Sequence, residues 1–222
     1  MDQVNKTFFD AAASGDVAKV SSALAMGADV NVTNPEGRTA LMRSAKRGHM
    51  DVVRKLLVEG ADVNMKDANG KTAIMAAAKK GHFDICKLLI ENGAAAKGQD
   101  NKGRSALMRA AFLGHDDVVA LLLDNGADIN AKDEAGRTSL MEACNACKPY
   151  VISLLVERGA DVNAQDEHGC TALMRVAYTG YTELVQYLLD NGADKELTDV
   201  NGNKAVHYVR TECLDPLQGM LK

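Results

Sequence analysis

Apolar positions along the chain fall at helical spacing and are interrupted at short, regular intervals. In the stretch Asn34–Lys66, Val52, Val53, Leu56 and Leu57 share one face of a predicted helix. A shorter helix precedes it. Thr39 stands where a hydroxyl can accept from the free N–H groups of a helix start. The run continues through Arg47, and Gly48 supplies the left-handed residue that ends it. Gly60 stops the second helix in the same way. The Asp-, Asn- and Gly-rich segment from the Asp62 place to the Arg38 place of the next stretch reads as a turn-forming hairpin loop. Helices of about nine residues do not persist alone, so their apolar faces must be buried against neighbours.

The pattern repeats every 33 residues. Gly-Arg-Thr-Ala-Leu-Met at Gly37–Met42 returns at Gly70–Met75, Gly103–Met108, Gly136–Met141 and Gly169–Met174. The run Gly60–Asn64, Gly-Ala-Asp-Val-Asn, is matched at Gly27–Asn31, Gly126–Asn130 and Gly159–Asn163. No insertion breaks the phase. The register predicts one domain over 1–222. An N-terminal capping unit (1–33) leads into five internal units (34–66, 67–99, 100–132, 133–165 and 166–198), and a truncated C-terminal cap (199–222) follows. Stacked helix pairs of this kind form a solenoid, in which each unit touches only its neighbours.

The 33-residue period, the Gly-x-Thr-x-Leu string, Gly-His at Gly48-His49, Gly81-His82 and Gly114-His115, and Gly-Ala-Asp-Val-Asn together resemble ankyrin repeats. The resemblance spans essentially the whole chain. It implies an all-α ankyrin-repeat solenoid of helix-turn-helix units with hairpin loops. It also implies a scaffold that binds proteins on the concave surface formed by loop tips and inner helices.

Several residues depart from the family's Thr-Pro-Leu-His string. Met42, Met75, Met108, Met141 and Met174 stand at the His place and are expected to pack as a core ladder, since Met fills irregular gaps. His207 alone keeps the His. The run Gly93-Ala94-Ala95-Ala96-Lys97 lacks the Asp and Asn that brace the other loops, so a looser loop is expected there. Cys147 replaces a loop glycine in Cys144-Asn145-Ala146-Cys147-Lys148-Pro149, a strained place for a side chain, and Pro149 is suited to start the next helix. Cys144-x-x-Cys147 has no second pair to complete a zinc site and follows no βαβ pattern, so a local irregularity is expected instead of a metal or redox centre. His49, His82 and His115 are expected to be structural. No cofactor is implied.

Composition narrows the setting. The five cysteines are odd in number and irregularly spaced, which argues against a disulfide framework and for a reducing, cytoplasmic compartment. No apolar run approaches the roughly 20 residues needed to span a bilayer, and the N-terminus lacks the pattern of a secretory signal. No nucleophile, base and stabilising pocket can be assembled from residues that lack a repeat role, so no enzyme is expected.

Charge distribution singles out one face. Along the Gly-x-Thr loops and first helices of internal units one to three lie Arg38, Arg43, Lys46, Arg47, Lys71, Lys79, Lys80, Lys102, Arg104 and Arg109. These ten cations meet one acid, Glu36. The remaining chain holds 16 basic and 29 acidic residues, a net of −13. Phe112 and Leu113 add apolar anchors, and Tyr178 an aromatic one further along, where Arg137 and Arg175 are offset by Glu134, Glu142 and Glu167. The expected function is a monomeric protein–protein interaction scaffold, adaptor or inhibitor. Its partner would bring an acidic segment, held by forked arginine–carboxylate pairs. An alternative reading assigns the same groove to nucleic acid or anionic lipid headgroups. It is weaker, because the chain is acidic overall and no aromatic row interleaves the cations for base stacking.

Overall fold

The computed structural model describes residues 2–210 and 214–222. Helices alternate in two rows. The inner row comprises α1 (Gln3–Ser14), α3 (Ala40–Arg47), α5 (Ala73–Ala78), α7 (Ala106–Leu113), α9 (Ser139–Asn145) and α11 (Ala172–Thr179). The outer row comprises α2 (Val17–Ala25), α4 (Met50–Val58), α6 (Phe83–Glu91), α8 (Asp116–Asp124), α10 (Pro149–Glu157) and α12 (Thr182–Asp190). A 3-10 turn, Ala205–Tyr208, continues the inner row, and α13 (Leu214–Leu221) packs against both α12 and that turn. Among the described residues there is no strand. Two isolated antiparallel bridges, Thr33 with Thr39 and Gln99 with Ser105, mark hairpin bases.

Each inner helix packs on the next, and the inner helices are alanine-rich: Ala40, Ala45, Ala73, Ala77, Ala106, Ala110, Ala172 and Ala177 are buried. Small side chains let these backbones approach closely. The outer row carries larger aliphatics such as Val53, Leu56, Leu89, Leu122 and Leu155, all fully buried. That difference in girth favours curvature of the stack toward the inner helices, with their exposed side concave. The methionine ladder lies in the core as expected, with Met42, Met75, Met108, Met141 and Met174 all buried. His207, exposed in the 3-10 turn, accepts from the Lys204 N–H at 2.8 Å.

Caps track inner-helix length. Thr39, Ser105, Thr138 and Thr171 each accept from the N–H three residues on. Thr72 makes no such bond, and α5 spans six residues. Where Lys204 replaces the hydroxyl, only the 3-10 turn forms.

The Gly-His pairs are joints between units. His49, His82 and His115 each precede an outer helix without capping it. Their rings instead cover the glycine of the preceding unit: a Cβ on Gly15, Gly48 or Gly81 would lie 2.8, 2.9 or 2.6 Å from a ring atom of the next histidine. Nε2 of His49 also reaches the Ala13 carbonyl at 3.1 Å, and that of His82 the Lys46 carbonyl at 3.3 Å. The stem of Lys148 covers Gly114 in the same manner. Cys147 breaks the series. It is the one non-glycine with positive φ among the described residues, at 50°, and the next unit carries the exposed Tyr181 in place of a covering histidine. Cys147→Gly is therefore expected to raise stability. Relief of left-handed strain, about 1–2 kcal/mol, exceeds the entropy that glycine adds to the unfolded chain, about 0.5–1 kcal/mol. A urea midpoint at or below that of the wild type would reject this account.

A second row of hydrogen bonds joins the loops. Asn31, Asn64, Asn130 and Asn163 accept from the backbone N–H groups of Asp62, Ala95, Asp161 and Asp194 in the following loops, at 2.7–3.0 Å. Lys97 interrupts the row, so the Asp128 N–H has no such side-chain acceptor. The 93–97 loop also lacks the bond that Asp62 accepts from Asn64 in the loop before it.

Candidate functional site

The inner edge of the hairpins is built on buried carboxylates. Asp67, Asp100, Asp133, Asp166 and Asp199 recur 33 residues apart. In each, Oδ1 accepts from the backbone N–H groups two and four residues on, which closes the turn. Oδ2 is left to face the concave side. Arg109 donates to Asp100, Arg175 to Asp166, Arg137 to Asp133 at 2.8 Å, and Tyr208 Oη to Asp199 at 2.7 Å. At Asp133, burial works to raise the pKa, but hydrogen bonds from the Arg137 side chain and backbone outweigh it and leave the carboxyl below its ordinary value. Asp199 is held well below, first by the Asn203 N–H and then by Tyr208.

These aspartates change the reading of the face. The sequence places one acid, Glu36, among ten cations, but the fold brings turn carboxylates beneath them. Arg109 is engaged by Asp100. Arg38 Nε lies 3.7 Å from Asp67, and Arg104 reaches Glu142 at 3.1 Å. Glu142 is buried between Arg104 and Arg137, and Arg175 is offset by Asp166 instead of Glu167. The missed signal was the pairing of a turn Asp with Arg nine residues later, at Asp100/Arg109 and again 66 residues on at Asp166/Arg175, with Glu142 at that place in the unit between.

The first two internal units depart from this pairing. Asn34 stands at the aspartate place and still accepts from the Arg38 N–H at 2.9 Å. Arg43, the counterpart of Arg109, therefore has no turn carboxylate, and its guanidinium lies 5.2 Å over the Phe9 ring. The second unit keeps Asp67 but carries Ala76 at the arginine place. One unit has the cation without a turn anion, and in the other the turn anion meets only Arg38 of the unit before it, at 3.7 Å.

Between these two units the concave face opens into a depression of about 320 Å³. Eight of the ten sequence-predicted cations line it: Arg38, Arg43, Lys46, Arg47, Lys71, Lys79, Lys80 and Arg109, with Asp67 the acid in its wall. Arg47 is anchored on the Ala13 carbonyl. Lys46, Lys71, Lys79 and Lys80 are exposed, and none forms an ion pair among the described residues. Partial burial lowers the pKa of Lys46, and the nearby positive charges of Arg38, Lys80, Lys79 and Arg43 lower it further.

The other sequence-predicted residues lie outside this lining. Lys102 is exposed at a hairpin tip, its N–H given to Asp100. Phe112 and Leu113 occupy the places of Lys79 and Lys80 one unit further on, each 38% exposed. Tyr178 is two units beyond Phe112, exposed, with the Arg210 guanidinium 5.5 Å over its ring. Cys144 is fully buried and Cys147 half-buried. Desolvation pushes the Cys144 thiol well above its ordinary pKa, which holds it protonated.

No helix among the described residues is long and apolar enough to cross a membrane. No curated protein sequence matches the chain. The solved ankyrin-repeat domain of human ASB11 is 25% identical and superposes with a TM-score of 0.88, the match covering 97% of each chain. The family model for ankyrin repeats matches in three copies, over residues 8–94, 51–133 and 128–199. Repeats of this kind mediate protein–protein interaction, and this chain belongs to the ankyrin-repeat family.

Proposed function

We propose that this protein is a monomeric, cytoplasmic interaction scaffold, adaptor or inhibitor without chemistry of its own, which takes an acidic segment of a partner protein along its concave face. The observation that carries the reading is the depression between α3 and α5, where four lysines converge without a counter-ion. Such a cluster is costly to maintain, whereas most of the face's arginines are engaged: Arg109, Arg137 and Arg175 by turn carboxylates, Arg104 by Glu142 and Arg47 by the Ala13 carbonyl. Its field steers acidic partners and raises their encounter rate. Phe112 and Leu113, next along the face, supply apolar contact area at the groove's far edge.

The test uses lysines alone, because reversing Arg109 would also break its pair with Asp100. A phage-displayed library of 12-residue peptides is selected on wild-type protein at physiological salt. Enriched sequences are expected to be rich in Asp and Glu. Lys46→Glu/Lys79→Glu/Lys80→Glu is expected to weaken them by more than about tenfold, that is, more than about 1.4 kcal/mol. Enrichment without acidic bias, or equal binding by the triple variant, would remove the basic groove from the function.

A further inference from the structure

The free cations of the depression are of one kind. Of its guanidinium groups, Arg38 faces Asp67, Arg109 holds Asp100, Arg47 is tied to a backbone carbonyl and Arg43 stacks on Phe9. The groups left to meet a ligand are the ammoniums of Lys46, Lys71, Lys79 and Lys80. An ammonium is a compact point charge with no planar fork to match a carboxylate, and four of them around one recess favour an anion of high charge and many acceptors. A carboxylate offers two oxygens and one charge. A phosphate monoester offers three strong acceptor oxygens and a charge of about −1.5 to −2. The geometry also selects among phosphate carriers. The recess lies on the concave face between two helices, which a flat bilayer cannot enter. It spans two units and touches a third only at Arg109, too short a track for a nucleic-acid backbone, and beyond it the face turns to Phe112, Leu113 and the clamped Glu142.

Building on the reading of this groove as a protein-binding face, we propose that the depression between α3 and α5 recognises a phosphorylated serine or threonine on the partner segment. Asn34 adds to the field of the site: with aspartate there, as in the later units, a carboxylate beside Arg43 would lower the positive potential of the recess.

Three fluorescein-labelled pools of 11-residue peptides, randomised at the flanks and carrying Ser, Glu or phosphoserine at the centre, test this by anisotropy against the full chain. The phosphoserine pool is expected to bind about tenfold tighter than the glutamate pool, the equivalent of one added charge-assisted hydrogen bond, with the serine pool weakest. Lys46→Ala/Lys79→Ala should abolish the preference, and Lys87→Ala on the outer helix should leave it unchanged. Asn34→Asp should weaken phosphoserine binding several-fold while the thermal midpoint holds or rises, which separates loss of charge from loss of fold. Equal affinity for the glutamate and phosphoserine pools would overturn the phosphate assignment and leave the acidic-partner reading intact. Failure of both pools would sink that reading as well. Tighter binding to vesicles containing phosphatidylinositol bisphosphate, or to duplex DNA, than to the phosphoserine pool would overturn the choice of a peptide.

Discussion

Replacing Asp100 with alanine is expected to lower the unfolding free energy by about 3–5 kcal/mol, the range for breaking a buried ion pair from one side. Its side chain is 3% exposed and carries three bonds: the N–H groups of Lys102 and Arg104 on Oδ1, and the Arg109 guanidinium on Oδ2. Removal opens the hairpin turn and leaves a largely buried guanidinium without its counter-ion. Burial already drives the Arg109 pKa down, and the Asp100 charge works against that shift. Asp100→Asn separates the two roles, because Asn34 shows that an amide oxygen still closes the turn at 2.9 Å. It should therefore cost less than alanine. Asp100→Ala/Arg109→Ala should recover part of the loss, since unit two naturally carries alanine at the arginine place. The check is a double-mutant cycle by urea unfolding, with coupling of about 0.5–3 kcal/mol for residues in contact. A cost for Asp100→Ala below about 1 kcal/mol would mean that the carboxylate row does not hold the concave edge together.

How much of this was legible in the sequence depended on whether a residue repeats. The 33-residue phase placed the helices, the capping hydroxyls and the methionine ladder, because each recurs with one structural job. Cys147 was legible for the converse reason: it breaks a glycine place whose backbone requirement is steep, and its φ of 50° is the result. The charge on the concave face was legible only in outline. The cations could be counted from the first helices, but their partners come from the turn of the same or the next unit, as Asp67 does for Arg38, or from the next unit's helix, as Glu142 does for Arg104 38 residues away. The turn aspartates looked like loop formers, and one carboxylate oxygen does serve the turn. The second oxygen's direction is set by the stack. The histidines were legible as structural, but not as lids on the preceding unit's glycine, which is a contact across an interface.

Truncating Leu122 to alanine is expected to cost about 2–5 kcal/mol, the range for a large buried aliphatic whose surroundings cannot collapse. Leu122 is fully buried in α8, which packs on α6, α7 and α10, so one cavity weakens the contacts of its own unit and both neighbours. The form of unfolding should change as well as its midpoint. Stability in a solenoid is approximately a sum of unit terms and nearest-neighbour interface terms. A defect at the centre lowers the coupling that makes the two halves unfold together, so the transition should broaden and its urea slope fall. Leu188→Ala removes an equally buried side chain from α12, near one end. The same local loss there should release the last units first and leave the N-terminal units folded. Urea curves read by far-ultraviolet dichroism distinguish the two patterns. If Leu122→Ala and Leu188→Ala shift one sharp transition equally, the stack unfolds as a single block, and the nearest-neighbour description does not hold for this chain.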